Sequence, residues 1–234
     1  RQILAAYALF DRIGAAWPAV EIEACAGGGG RIDAGIIRRT HRFWTSDCID
    51  AVSRVAMQRG FLQYMPPEVM GSHIGAAPAH STGRSQSMDF RAAVAMAGHF
   101  GVEFNLLEMA EADRTRLAQW IAFYKQWRHL LGGSVATGTA PDHLAWQANG
   151  SADQWLLAVY RLAPSELRYA PTLPLSFVGD GPWRVRRIDP VETPDRDANW
   201  RSGWTVDGAW LRDVGLPLPP MKAEVAAIFV LDRV

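Results

Sequence analysis

Apolar side chains recur every three or four positions in several stretches of the first 131 residues, a spacing typical of amphipathic helices. The clearest stripe consists of Leu117, Trp120, Ile121, Tyr124, Trp127 and Leu131. Pro18 and the pair Pro66-Pro67 follow two of these stretches and stop them. Helices are therefore predicted at residues 2–17, 34–39, 50–64, 88–99 and 112–131.

Short apolar runs separate these helices and predict strands at residues 20–25, 41–46 and 102–107, with another strand inside the loop-rich stretch 70–86. Repeated strand–helix units form a parallel sheet with helices outside it. Four such units are half of a (β/α)8 barrel, a fold whose chemistry lies at the C-terminal ends of the strands. The fold class predicted for residues 1–131 is therefore α/β, as half of a TIM barrel.

The pattern changes after Gly132 and Gly133, where the helical stripes end. Prolines become frequent, the pair Asn149-Gly150 stands between two apolar runs, and residues 224–231 are rich in strand-forming side chains. Asn-Gly between apolar runs is a strong signal for a hairpin. Residues 132–234 are therefore predicted to be an all-β domain, a small antiparallel β-sandwich.

Composition excludes several classes of function. Lys plus Arg and Asp plus Glu both number 24, so the basic excess of a nucleic-acid-binding protein is absent. No apolar run approaches the roughly 18 residues of a membrane span, so neither nucleic acid nor membrane is an expected partner. The two cysteines, Cys25 and Cys48, are too few for a disulfide framework and fit a reducing compartment. The ten tryptophans suit apolar cores and also flat platforms for sugars.

Two segments that follow predicted strands could carry chemistry. The four glycines at 27–30 could let a backbone approach a ligand such as phosphate, although their spacing matches no nucleotide-binding motif and an ordinary turn is equally compatible. Asp47 could be a general acid/base. Alternatively, Asp47 could be the N-cap of the next helix, with Asp50, three residues later, stabilising the helix N-terminus by its charge. His73, His80 and His99 lack metal-ligand spacing, so neither a metal nor a cofactor is predicted.

The two segments together resemble the α-galactosidases of glycoside hydrolase family 36. The resemblance rests on EACAGGGGRID at residues 23–33, followed by RFWTSDCIDA at residues 42–51. It continues through shorter matches at residues 58–60, 70–73, 80–84 and 98–103. It covers residues 1–131 well and extends more loosely over the remainder.

The resemblance implies a retaining glycosidase whose domain at 1–131 is the second half of the barrel, strands five to eight. In that family one Asp attacks the anomeric carbon, and a second Asp protonates the leaving oxygen and then activates water. On this basis Asp47 is the catalytic acid/base, and the expected substrate-binding residues are Cys25, Gly28, Arg31, Trp44 and Asp50. Asp50 is the second choice for the acid/base and is expected mainly to support the helix start.

The resemblance also implies the partners. The expected substrates are α-galactosides of the melibiose or raffinose type, with no cofactor, and the complete enzyme is expected to be a homo-oligomer. The few cysteines and the absence of a leader pattern, together with the habit of the family, suggest a cytoplasmic location.

Departures from the family pattern bear on activity. Family members often have Ser where Ala26 stands, Asn-Thr where Cys48-Ile49 stands, and Asp where Asn105 stands. The Lys-x-Asp motif that carries the nucleophile is missing, because the only lysines are Lys125 and Lys222. The chain is therefore expected to be a fragment that is inactive alone and poorly stable until a partner, the missing N-terminal half, covers its open edge.

Other functions fit parts of the sequence. A non-enzymatic carbohydrate-binding or subunit-contact module would use the tryptophans and the β domain. An α-N-acetylgalactosaminidase or a galactosyl transferase like raffinose synthase would differ around the sugar's 2-hydroxyl. A barrel that binds a phosphate ligand would depend on the glycine run alone.

Overall fold

A computed structural model describes residues 1–167, 170–190 and 198–234. The described helices are α1 Gln2–Ala16, α2 Ala51–Phe61, α3 Met88–Ala95, α4 Glu111–Trp127, α5 Ala198–Ser202 and α6 Gly208–Asp213. The described strands are β1 Glu23–Ala24, β2 Arg42–Trp44, β3 Met70–Gly75, β4 His99–Glu103, β5 Ser134–Ala140, β6 Leu144–Gly150, β7 Gln154–Arg161, β8 Pro182–Arg187, β9 Trp204–Asp207 and β10 Val225–Arg233. Within this part of the chain, no helix combines the length and apolarity needed to cross a membrane.

The first four strands form a parallel sheet in the order β1-β2-β3-β4, which confirms the predicted strand–helix units. The register pairs Ala24 with Phe43, and Trp44 with Gly71. The strands β1 and β2 are shorter than predicted, with two and three residues, and β4 begins three residues before the predicted start at 102. Little of the sheet's hydrogen bonding therefore lies in its first two strands.

The predicted helix at residues 34–39 is wrong, because this stretch consists of turns. The Asp33 carboxylate accepts hydrogen bonds from the backbone N–H groups of Gly35 and Ile36, at 2.7 and 3.0 Å. It also accepts one from the Tyr7 hydroxyl on α1, at 2.6 Å. Side-chain acceptors that bind nearby backbone N–H groups compete with helix formation.

The second sheet is antiparallel, with six strands in the order β5-β6-β7-β10-β8-β9. The predicted hairpin is confirmed as β6-β7, although Asn149 and Gly150 end β6 and the turn follows them at residues 151–153. The last strand, β10, pairs with both β7 and β8 at the centre of the sheet. The described residues form one sheet here, so the second layer of a sandwich stays a prediction.

The two sheets are joined through one apolar core. Phe90 and Trp120, from α3 and α4, belong to the same buried cluster as Tyr160, Ile228 and Val230 of the antiparallel sheet. Hydrogen bonds of polar side chains also cross the same boundary. Gln147 donates to the Ala97 carbonyl at 2.9 Å, and Asn149 donates to the Leu131 carbonyl at 3.4 Å. The core is continuous across residue 132, and the domain boundary expected near that residue stays a prediction.

We expect Ile228→Ala to lower the free energy of unfolding by about 3 kcal/mol, because the side chain is fully buried in this shared core. Leu107→Ala is the matched control, since Leu107 is 89% exposed, and its effect should stay within about 0.5 kcal/mol. Urea unfolding followed by circular dichroism and by tryptophan fluorescence measures both. Separate transitions that respond differently to Ile228→Ala would contradict a shared core.

Candidate active site

The two segments singled out in the sequence meet at one edge of the parallel sheet. The glycine-rich loop, defined here as residues 25–31, follows β1, and the segment 45–50 follows β2. Since parallel strands end at the same edge, the two segments are neighbours. The Cys25 thiol donates to the Asp47 carboxylate, with Sγ 3.7 Å from Oδ1, and both side chains are exposed.

The glycine-rich loop packs directly on the segment after β2. Gly28 has a φ of +67°, and a Cβ there would lie 2.6 Å from the Asp47 backbone nitrogen and 2.9 Å from its Cγ. Gly29 has a φ of +90°, and a Cβ there would lie 2.6 Å from the Thr45 carbonyl oxygen. Only glycine combines this backbone conformation with so close an approach. The glycine run is therefore explained by contact with the Asp47 segment.

Asp47 and Asp50 have opposite environments. The helix cap of α2 is Asp50, whose carboxylate accepts from the backbone N–H of Ser53 at 2.8 Å, so the alternative in which Asp47 caps the helix is wrong. Asp47 is left exposed at the sheet edge beside Cys25. Its carboxylate is thus accessible to a molecule that approaches this edge.

Asp50 is fully buried and ties the loop before α3 to the start of α2. Its Oδ2 accepts from Thr82 at 2.8 Å and from Gln86 at 3.2 Å, and it pairs with Arg84 at 3.2 Å. Burial raises the pKa of Asp50 most strongly, but the hydrogen bonds from Ser53, Thr82 and Gln86 together outweigh it and hold the pKa below its ordinary value. Asp50 is therefore an ionised structural anchor, as the support role predicted.

Trp44 and Arg31 differ in how far they are available to a ligand. Trp44 is 4% exposed, and its ring stacks on His73 with centroids 4.1 Å apart. This indole supports the site from beneath and offers little surface to a sugar. Arg31 ends the glycine-rich loop and is half-buried. The predicted contacts of Cys25, Gly28, Arg31, Trp44 and Asp50 with substrate stay predictions.

The sequence analysis missed a cluster of charged side chains from β1 to β4. The Glu23 carboxylate lies 3.2 Å from Arg42 and 3.3 Å from His73, and the other nitrogen of His73 lies 3.5 Å from Glu103. The hydrogen bond with His73 is the main cause that lowers the pKa of Glu23. Opposite charges at matching positions of neighbouring predicted strands were the available signal. Arg54, on the inner side of α2, was missed because nothing in its spacing marks it.

Comparison with known proteins covers both parts of the chain. The sequence model of the melibiase family matches residues 1–133. The α-galactosidase of Escherichia coli is 32% identical over 250 residues, which cover 97% of this chain and 34% of that enzyme. The α-galactosidase AgaA of Geobacillus stearothermophilus is 40% identical over 131 residues, which cover 56% of this chain and 18% of that enzyme.

Solved structures are similar over nearly the whole chain. The galactosidase domain of the α-galactosidase–sucrose kinase AgaSK matches with a TM-score of 0.86 and 29% identity, over 99% of this chain and 31% of that one. A variant of AgaA of Geobacillus stearothermophilus in complex with raffinose matches with a TM-score of 0.85 and 28% identity, over the same shares. The chain spans about a third of the length of these relatives.

The fold is thus similar to that of glycoside hydrolases that are α-galactosidases. The chain belongs to the melibiase family, and its resemblance to glycoside hydrolase family 36 is confirmed. The combination of a parallel and an antiparallel sheet is shared with the solved structures of that family.

We expect Asp50→Ala to lower the free energy of unfolding by about 2 kcal/mol at pH 7, because it removes the cap and leaves Thr82 and Gln86 without their acceptor. Asp47→Ala is the matched control and should change it by less than about 0.5 kcal/mol, since Asp47 is exposed. Urea unfolding measures both changes.

The cost of Asp50→Ala should depend on pH. A carboxyl whose folded pKa lies below its unfolded value stabilises the fold above that unfolded value, about 4. That contribution is lost as the pH falls through the lowered pKa. The difference between wild type and Asp50→Ala should therefore narrow below about pH 4. A difference that stays constant down to about pH 2.5 would contradict an ionised Asp50.

Proposed function

We propose that this chain carries the acid/base side of the active site of a retaining α-galactosidase, with Asp47 as the general acid/base. The observation that carries the proposal is the position of Asp47. It is an exposed carboxylate at the edge of a parallel sheet, held against a glycine-rich loop and free of the helix-cap role that Asp50 takes. Membership of the melibiase family supplies the reaction class.

In the proposed reaction, Asp47 donates its proton to the glycosidic oxygen as the bond to the anomeric carbon breaks. It then removes a proton from the water that releases the galactosyl group from the nucleophile. Retention requires a second carboxyl group about 5–5.5 Å away, which acts as that nucleophile. We propose that β1–β4 are half of a (β/α)8 barrel and that the other half supplies this nucleophile.

The neighbours of Asp47 have separate parts in this proposal. The Cys25 thiol, 3.7 Å from the carboxylate, limits the space beside it and can donate to it. The backbone of Gly28 brings N–H groups to the same place without a side chain in the way. Trp44 and Asp50 act through the fold, since both are buried. The face that meets the sugar is therefore built from Cys25, the glycine-rich loop and Asp47.

The proposed substrate is a terminal α-galactoside. Structures of related α-galactosidases are described in complex with raffinose and with stachyose, which both fit this class. The proposed partner is the part of the enzyme that the relatives carry outside the matched third.

Co-expression of this chain with the part of the Escherichia coli relative that lies outside the match should give α-galactosidase activity, while the chain alone should give none. In that complex, Asp47→Ala should reduce kcat/KM for raffinose by about 100- to 10,000-fold, the usual contribution of a general acid. The loss on p-nitrophenyl α-galactoside should be smaller, because its leaving group needs less protonation. Asp213→Ala, which removes an exposed carboxylate on α6, is the control and should have no effect.

The same complex separates catalysis from simple binding. A folded complex that hydrolyses nothing, and that binds galactose equally well before and after the Asp47→Ala substitution, would contradict the enzymatic proposal. It would favour the carbohydrate-binding module instead. Isothermal calorimetry with galactose and melibiose makes that measurement.

Gly28→Ala should reduce the activity of the complex by on the order of 100-fold, because a Cβ at this position displaces the Asp47 backbone. Gly83→Ala is the matched control, since Gly83 also has a positive φ, +71°, but has nothing within 4 Å of the added atom. Both variants should lose about 1–2 kcal/mol of stability from backbone strain. Equal activity of the two variants would show that contact with Asp47 is unimportant.

A further inference from the structure

Arg54 is a buried cation that the proposed reaction does not use. It lies in the first turn of α2 and is 2% exposed. Among residues 1–167, 170–190 and 198–234, no carboxylate lies within ion-pair distance of its guanidinium, and its Nε has no hydrogen-bond partner. Burial lowers the pKa of Arg54 to about 10. The charges of Glu103 and Glu23 raise that pKa but do not outweigh the burial. A buried cation that no direct ion pair neutralises destabilises a fold, so its presence needs another explanation.

The guanidinium of Arg54 joins the segment that follows β2 to the beginning of the neighbouring strand β3. Its Nη1 donates to the Ser46 carbonyl at 2.9 Å, and its Nη2 donates to the Gly71 carbonyl at 3.3 Å. Its central carbon lies 4.1 Å from the centre of the Trp44 ring. Arg54 therefore connects the segment after β2 to β3 and packs on the last residue of β2.

The Ser46 carbonyl belongs to the peptide group that joins Ser46 to Asp47. Gly28 packs against the nitrogen of that same peptide group. The Ser46 hydroxyl accepts from the Cys48 N–H at 3.1 Å, which closes a turn around Asp47. The peptide is thus held at its oxygen by Arg54 and at its nitrogen by the glycine-rich loop.

We infer that Arg54 is a positioning residue for Asp47, which fixes the peptide before it and so the direction in which its carboxylate points. The inference rests on the proposed function for its effect on catalysis. A planar guanidinium can donate to two carbonyls at once in a fixed geometry, whereas an ammonium group acts as a point charge. An apolar side chain would fill the volume but leave both carbonyls without this donor.

Arg54→Met and Arg54→Lys test the inference in the co-expressed complex, with Arg59→Met as the matched control on the same helix. Arg59 is half-buried, and its backbone carbonyl accepts a hydrogen bond from Gln63 at 3.3 Å, within the same end of the helix. Arg54→Met should reduce kcat/KM for raffinose by on the order of 100-fold, as expected for a misplaced catalytic group. It should reduce kcat/KM far less for 2,4-dinitrophenyl α-galactoside, whose leaving group needs no acid. Arg54→Lys should recover part of the loss, and Arg59→Met should change neither substrate.

Equal losses on the two substrates would overturn the inference, because a merely structural role weakens the whole site. Unchanged activity on raffinose would overturn it as well. A wild-type complex without activity would instead refute the proposed function. In that case the effect of Arg54 on the position of Asp47 is measured by NMR, independently of activity. In the co-expressed complex, with this chain labelled with 15N-aspartate, the Asp47 amide resonance should move in Arg54→Met and Arg54→Lys but stay in place in Arg59→Met. An unmoved resonance would refute Arg54 as a positioning residue, whatever the activity.

Discussion

The close packing of the glycine-rich loop on the peptide before Asp47 is the contact on which the site depends. The strands that lead to it, β1 and β2, have only two and three residues, so the few hydrogen bonds between them contribute little to fixing the site. Gly28 and Gly29 compensate because their backbone lies so close to the segment after β2 that no room is left for a Cβ. Positive φ angles at both positions make this approach possible, and a Cβ at either one would collide with backbone atoms.

Asp47 and Asp50 lie three residues apart in the same segment and have different roles. Asp50 is buried and caps α2 through the Ser53 N–H, and its other carboxylate oxygen accepts hydrogen bonds from the Thr82 hydroxyl and the Gln86 amide. Its bonds fix the start of α2, and the first turn of α2 brings Arg54 under the segment. Asp47 therefore needs no structural bonds of its own, and its carboxylate stays available at the surface.

The regular part of the fold could be predicted because it depends on periodicity. The parallel strand–helix units and the β6-β7 hairpin follow from apolar spacing and from one Asn-Gly pair. Features set by distant contacts could not be predicted. Asp33 replaces a helix with turns through Tyr7 on α1, and Trp44 is covered by His73 from the neighbouring strand β3. Likewise, the sequence motif singled out Asp47 as the candidate acid/base. The proposed positioning role of Arg54 depends on contacts that only the three-dimensional arrangement shows.

The antiparallel sheet reaches the site through α3. The Tyr160 hydroxyl donates to the Ala93 carbonyl at 3.4 Å, and α3 packs on the central strand β10. From the same helix, Arg91 donates to the carbonyls of Gly75 and Gln86, and Gln86 in turn holds Asp50. Loosening the sheet would therefore release α3, then the loop that anchors Asp50, and finally the start of α2 from which Arg54 extends. Because these contacts are continuous, the antiparallel region is part of what keeps Asp47 in place, although none of the residues described in that region is among those assigned to the site.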